Sequence, residues 1–295
     1  MCAIMIKDRR RNIGRKEQIM GRIIAVANQK GGVGKTTTTV NLSSCLAEKG
    51  KKVLTVDIDP QGNTTRGLGI DKKKLREQKK TMYELLLGEI TVKECLLTNV
   101  IENLSVIPAD VDLAGAEIEL IGTESSSFTL KTELEKIRNS YDFIIIDCPP
   151  SLSILTVNAL TAADTILVPI QCEFFALEGL SQLMHTINLI QKRLNPHLEI
   201  EGVVFTMYDA RTNLSIQVVD EVKKMLKKTN IYKSIIPRNV RLGEAPSHGL
   251  PINLYDSSSK GAESYRLLAD EVIEREEKKN DSKKKGFGKR FIRSY

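Results

Sequence analysis

No stretch of this 295-residue sequence stays apolar for the roughly 20 residues that a bilayer-spanning helix needs. The N-terminus is charged but lacks the apolar core of a secretory signal. The five cysteines (Cys2, Cys45, Cys95, Cys148, Cys172) form no CxxC pair and no zinc spacing. They read as reduced thiols of a cytoplasmic protein, with Cys45, Cys148 and Cys172 where small core residues belong. The three histidines, His185, His197 and His248, are too scattered to hold a metal. No Pro/Ser/Gly-rich linker and no internal repeat interrupts the chain. With 41% hydrophobic residues, it can bury the core of one large α/β domain.

The net charge of +7 is unevenly placed. Residues 1–19 carry six Lys/Arg against two Asp/Glu, and residues 275–295 carry nine against three. The tails hold +10, which leaves a body, residues 20–274, at −3. A nucleic-acid surface on that body has to be a local patch. Residues 1–19 show no apolar period and predict a disordered basic arm; Met20, directly before the first strand, is a second candidate start.

The organising stretch is Gln29-Lys30-Gly31-Gly32-Val33-Gly34-Lys35-Thr36-Thr37. Before it, Arg22 to Ala27 is an apolar, β-rich segment that predicts a buried parallel strand. After it, Val40, Leu42, Cys45, Leu46 and Ala47 form a helical stripe over Thr37–Lys49, closed by Gly50. Strand, glycine loop and helix in that order make a phosphate cradle: the glycines let backbone N–H groups converge on an anion, and the helix N-terminus adds partial positive charge.

A second strand, Lys52 to Asp59, ends in two acids followed by Pro60-Gln61-Gly62-Asn63. Carboxylates at the C-terminal edge of a strand beside a phosphate loop lie where open α/β sheets bind ligands. Tyr141 to Asp147 is an apolar strand delivering one carboxylate toward a magnesium shell. Further strands are predicted at Leu104–Ile107, Thr165–Ile170, Ile200–Thr206 and Ile231–Ile236. Helices are predicted at Met82–Leu87, Val92–Leu97, Leu113–Ile121, Leu130–Ile137, Leu177–Leu194, Leu214–Lys228 and Ala262–Ile273. The lysine-rich segment 71–80 reads only as a solvated surface. Strands alternating with helices give a doubly wound, mostly parallel sheet flanked by helices.

Lys30 to Thr37, Asp57-Ile58-Asp59-Pro60-Gln61-Gly62-Asn63 and Asp147-Cys148-Pro149-Pro150 resemble the deviant Walker A ATPases of the ParA/MinD superfamily. Asn158-Ala159-Leu160, Glu178-Gly179-Leu180, Asp209 to Asn213, Ile236 to Arg241 and Ala245 to Gly249 are similar to the short chromosome-partition branch, ParA or Soj. The resemblance covers about residues 20–274 and leaves the tails outside.

It implies ATP and Mg²⁺ as ligands. Lys35 would contact the β- and γ-phosphates and Thr36 would ligate magnesium, while Gly31, Gly32, Val33, Gly34 and Thr37 supply further donors. Lys30 resembles the lysine that crosses a homodimer interface to the partner's nucleotide. Asp59 would orient or deprotonate the attacking water, Asp57 would support it, and Asp147 would hold magnesium through water. Pro237 and Asn239 match adenine contacts. The resemblance further implies an ATP-dependent homodimer, non-specific double-stranded DNA, a stimulating ParB/Spo0J-type partner, a nucleoid location and an effect on replication initiation.

Residues 207–241 hold eight Lys/Arg against three Asp/Glu. Lys223, Lys224, Lys227 and Lys228 predict one helical stripe, flanked by Arg211, Arg238 and Arg241 on loops. Alone this is an ordinary solvated face; the resemblance makes it a DNA patch. In the tail, Phe287, Phe291 and Tyr295 fall at i, i+4, i+8 between cations, as in a membrane-surface helix and similar to the MinD targeting helix. Gly286 and Gly288 argue instead for a flexible basic arm. A MinD-like membrane switch is the alternative function. A cluster-carrying relative like the nitrogenase iron protein would need a second bridging cysteine beside Cys148.

Overall fold

The computed structural model describes residues 20–120, 124–173, 176–226 and 230–291, with 124–125 and 282–291 as backbone only. The arm expected over residues 1–19 and the end of the tail lie outside these residues. Eight strands form one sheet: β1 (Arg22–Val26), β2 (Val53–Asp57), β3 (Leu97–Ile101), β4 (Leu104–Ile107), β5 (Phe143–Asp147), β6 (Thr165–Gln171), β7 (Glu199–Tyr208) and β8 (Ile231–Pro237). Their order is β3-β4-β2-β5-β1-β6-β7-β8. Every neighbouring pair is parallel except β3 with β4. This is the expected doubly wound, mostly parallel architecture.

The central strands are buried on both sides, so they read as unbroken apolar runs. In β1, Ile23 and Ala25 enter one core while Ile24 and Val26 enter the other. The Lys35–Glu48 helix and the C-terminal helix cover the second face. The helices Met82–Leu87, Leu113–Glu119, Ile154–Ala162 and Ala176–Arg193 cover the first. The loops after β1, β2, β5, β6, β7 and β8 therefore gather at one edge, which is where this sheet can hold a ligand.

Several elements escaped the sequence reading. The expected helix Val92–Leu97 stops at Cys95, and Leu97–Ile101 becomes the antiparallel edge strand β3. Thr98 and Asn99 of β3 are exposed, so no alternation marks it. The Ile154–Ala162 helix is buried on nearly every side and lacks the polar face that a periodicity search needs. Within the lysine-rich segment, Lys72–Glu77 is a short helix capped by the Asp71 carboxylate.

The closing helix runs Lys260–Phe291 and passes through Gly286 and Gly288, correcting the expectation of a break there. Each glycine costs a helix only about 1 kcal/mol relative to alanine. The helix is already nucleated and pinned upstream. Arg22 at the start of β1 pairs with Glu201 and Glu276, and the Arg275 guanidinium lies 3.9 Å from the centroid of the Tyr232 ring. Lys279 sits 3.7 Å from both Glu199 and Glu201.

Candidate nucleotide site and basic surface

The chain leaves β1 at Val26, turns through Asn28–Gly34 and enters the helix at Lys35. Gly32 and Gly34 have φ of 75° and 89°, values that side chains rarely tolerate, so the loop can close only with glycine there. Three contacts from neighbouring strands and from within the loop fix it. Asn28 Nδ2 donates to Pro169 O at 2.8 Å, Asn28 Oδ1 accepts Lys30 N–H at 3.0 Å, and Thr206 Oγ1 donates to Val33 O at 2.8 Å. The N–H groups of Gly34, Lys35, Thr36 and Thr37 find no acceptor among the described residues. Four converging donors at a helix N-terminus are an anion site.

Lys35 is nearly buried, and its ammonium donates to Lys30 O at 3.1 Å. Burial lowers its pKa, and the nearby Asp147 carboxylate opposes that. Asp147, at the end of β5, is wholly buried. Its Oδ2 accepts from Thr36 Oγ1 at 2.8 Å and Thr64 Oγ1 at 2.7 Å, and its Oδ1 accepts from Thr39 Oγ1 at 3.2 Å. Asp57 is its register partner on β2. Burial raises the pKa of both carboxyls, and the Asp147 charge raises Asp57 further.

The two acids after β2 have different environments. Asp57 Oδ2 accepts from Thr65 N at 2.8 Å and Thr65 Oγ1 at 2.7 Å, and its Oδ1 accepts from Asp59 N at 3.2 Å. It is committed to holding the following turn. Asp59 lies beyond the strand end, and one of its oxygens accepts Gln61 N–H at 3.0 Å. The other oxygen has no hydrogen-bond donor among the described residues.

Hard oxygens (the Thr36 hydroxyl and the Asp147 carboxylate) sit beside a phosphate-sized ring of donors, and this set fits magnesium with a nucleotide phosphate. No cluster of three His, Cys, Asp or Glu exists among the described residues. Magnesium would therefore lean on the phosphates and water for its remaining ligands. A cavity of about 350 Å³ opens beside Thr36 and Thr37, bounded by Val40, Arg66, Pro246 and Leu250.

Pro237 and Asn239 stand at the end of β8, outside that lining. Asn239 Oδ1 accepts Arg241 N–H at 2.9 Å and caps the Val240–Glu244 helix. His248 stacks on Tyr255 with ring centroids 4.9 Å apart.

Sequence reasoning missed Thr39, Thr64 and Thr65, which orient the two buried acids; the threonine pair after Gly62-Asn63 was the available signal. It also missed Thr206, for which no local pattern exists, and Glu173, whose Oε2 lies 2.8 Å from Lys30 Nζ.

The basic patch differs from expectation. The Asn213–Met225 helix ends before the second lysine pair, because Leu226 turns extended and packs against the core. Lys223 and Lys224 lie in its last turn, and Lys227 and Lys228 lie outside the described residues. Most of the remaining cations are paired. Arg211 binds Asp209, Lys223 lies 3.9 Å from Asp220, Lys224 binds Glu221, and Arg241 binds Glu244 and reaches Asp256. Arg238 is exposed and makes no ion pair among the described residues.

Known proteins place this arrangement. A sequence profile described as an AAA domain matches residues 21–200. Sporulation initiation inhibitor protein Soj of Bacillus subtilis is 59% identical over 253 residues, covering 86% of this chain and 98% of that protein. Chromosome partitioning protein ParA of Myxococcus xanthus is 51% identical over 261 residues, covering 88% and 91%. Among solved structures, cobyrinic acid a,c-diamide synthase from Mycobacterium smegmatis, with bound ADP and magnesium, superposes with a TM-score of 0.74. It is 40% identical, and the match covers 86% of this chain and 94% of that one. On the strength of the glycine loop, the two acidic strand ends and these likenesses, the chain belongs to the ParA/Soj family of chromosome-partitioning ATPases.

Proposed function

We propose that residues 20–274 form a Mg²⁺-dependent ATPase that uses ATP to join two copies, binds DNA as that dimer on the nucleoid, and lets go on hydrolysis. The observation that carries this is the meeting of the Gly34–Thr37 N–H groups, the Lys35 ammonium and the Thr36–Asp147 pair at one point. Lys35 and the four N–H groups hold the phosphates by charge and hydrogen bonding. Thr36 and Asp147 would hold magnesium, which neutralises charge on the phosphate oxygens as the γ-phosphoryl leaves. Asp59 orients the attacking water, with Asp57 fixing its backbone. Pro237 and Asn239 face the base.

Lys30 reaches across to the nucleotide of a second copy. A cation that arrives only in the dimer makes ATP the adhesive and hydrolysis the release. Arg211, Lys223, Lys224, Lys227, Arg238 and Arg241 contact DNA phosphates without reading sequence. A ParB/Spo0J-type partner stimulates turnover, and the cellular output is partition together with an effect on replication initiation.

The test is Asp59→Ala. Phosphate release is expected to fall by about 100-fold or more, while light scattering with ATP and Mg²⁺ shows a persistent dimer. Normal turnover in this variant rejects the assignment of Asp59. Rate measurements with DNA and a ParB-type protein, separately and together, test the partners.

A second reading has one observation in its favour. The backbone stays helical to Phe291, as a membrane-surface helix requires. Pelleting with anionic liposomes, full-length against a chain ending at Asp281, separates a membrane-contacting tail from a DNA-contacting one.

A further inference from the structure

The Asp209–Arg211 turn leaves the end of β7 at the edge where the ligand loops gather. Arg211 grips Asp209 with two prongs, Nε to Oδ1 at 2.9 Å and Nη2 to Oδ2 at 2.7 Å. The same Oδ1 accepts Arg211 N–H at 3.0 Å, so the carboxylate also shapes the turn. The Arg211 guanidinium beside it, with a smaller contribution from Arg238, holds the Asp209 carboxyl down at about 2. The Arg211 side chain is 89% exposed, so what it grips is open to exchange with solvent species.

A guanidinium presents the same planar fork to a carboxylate and to a phosphate. Asp209 therefore occupies the face of Arg211 that a DNA phosphate would take. We propose that Asp209 is an internal competitor for phosphate, setting DNA affinity by how tightly it keeps Arg211. This rests on the reading of Arg211 as a DNA contact. Exposed ion pairs are weak, so the carboxylate lowers affinity without abolishing binding. The chain then holds DNA loosely enough to leave it, and Asp209 is the residue that sets this.

Asp209→Asn isolates the charge, because an amide oxygen still accepts Arg211 N–H and keeps the turn. Binding to a mixed-sequence DNA duplex is measured by fluorescence anisotropy in ATP and Mg²⁺ across a salt series. Four proteins are compared: the wild type, Asp209→Asn, Arg211→Ala and the double variant. Asp209→Asn is expected to bind about two- to fivefold tighter. Its salt dependence should steepen by up to about 0.9 in log–log slope, one added phosphate contact. In the Arg211→Ala background the same change should give little gain.

An equal gain with and without Arg211 overturns the proposal, since Asp209 would then act as a plain negative charge near DNA. No gain in Asp209→Asn, while Arg211→Ala still weakens binding, also overturns it and leaves the DNA reading standing. Unaltered binding in Arg211→Ala overturns both. Absence of DNA binding in all four proteins removes the DNA reading itself.

Discussion

Lys30 Nζ lies 2.8 Å from Glu173 Oε2, and Gln171 Nε2 donates to the other oxygen of the same carboxylate. Gly179 lies beside the lysine stem, where a Cβ would sit 3.8 Å from Lys30 Cβ, an ordinary packing distance. In the single chain, the lysine assigned to the partner's nucleotide is thus held at home. The two side chains are 28% and 46% exposed, so the pair contributes less than about 1 kcal/mol. Glu173→Gln is expected to shift ATP-dependent dimerisation to about two- to fivefold lower protein concentration. Sedimentation at a series of concentrations checks this; an unchanged midpoint means the pair does not restrain Lys30.

Gly31 offers a separate test of face-to-face assembly. No atom lies within 4 Å of where its Cβ would be, and its φ is not in the left-handed range. Gly31→Val should therefore fold normally and still bind ATP, while two loops can no longer approach closely. Calorimetry should give a near-native nucleotide affinity, and light scattering should give a monomer. A variant that still dimerises in ATP would move the interface elsewhere.

Arg22 carries the connection between the sheet and the C-terminal helix. It is buried between Glu201 and Glu276, and burial alone would lower its pKa had the two carboxylates not reversed the shift. Arg22→Ala leaves the buried Glu201 carboxylate without its nearest ion partner, and Lys279 pairs with it at a longer 3.7 Å. Such a loss costs about 3–5 kcal/mol. Urea unfolding should show a loss of unfolding free energy of that size, with nucleotide affinity retained in the folded fraction, because Arg22 stands at the edge opposite the glycine loop.

The parts of the molecule that were readable in advance share a physical cause. Central parallel strands are apolar throughout, and a phosphate loop needs glycine at fixed positions, so β1, β5 and the Gly31–Thr37 turn are visible one residue at a time. The unreadable parts depend on contacts distant in sequence. Thr206 touches the loop across 173 residues, and Glu173 meets Lys30 across 143. Nothing local to either marks the contact. The helix expected over Leu214–Lys228 stops early for a related reason: helical spacing continued through the lysines, but Leu226 turns extended and packs on the core.

The C-terminal helix has a practical bearing on how this protein can be handled. Tyr265 meets Thr38 near the glycine loop, and Glu276 meets Arg22 at the far edge of the sheet. Fifteen further residues to Phe291 then extend about 22 Å onward. A fluorescent reporter or surface tether fused behind that rod would stand well clear of the glycine-loop edge of the sheet.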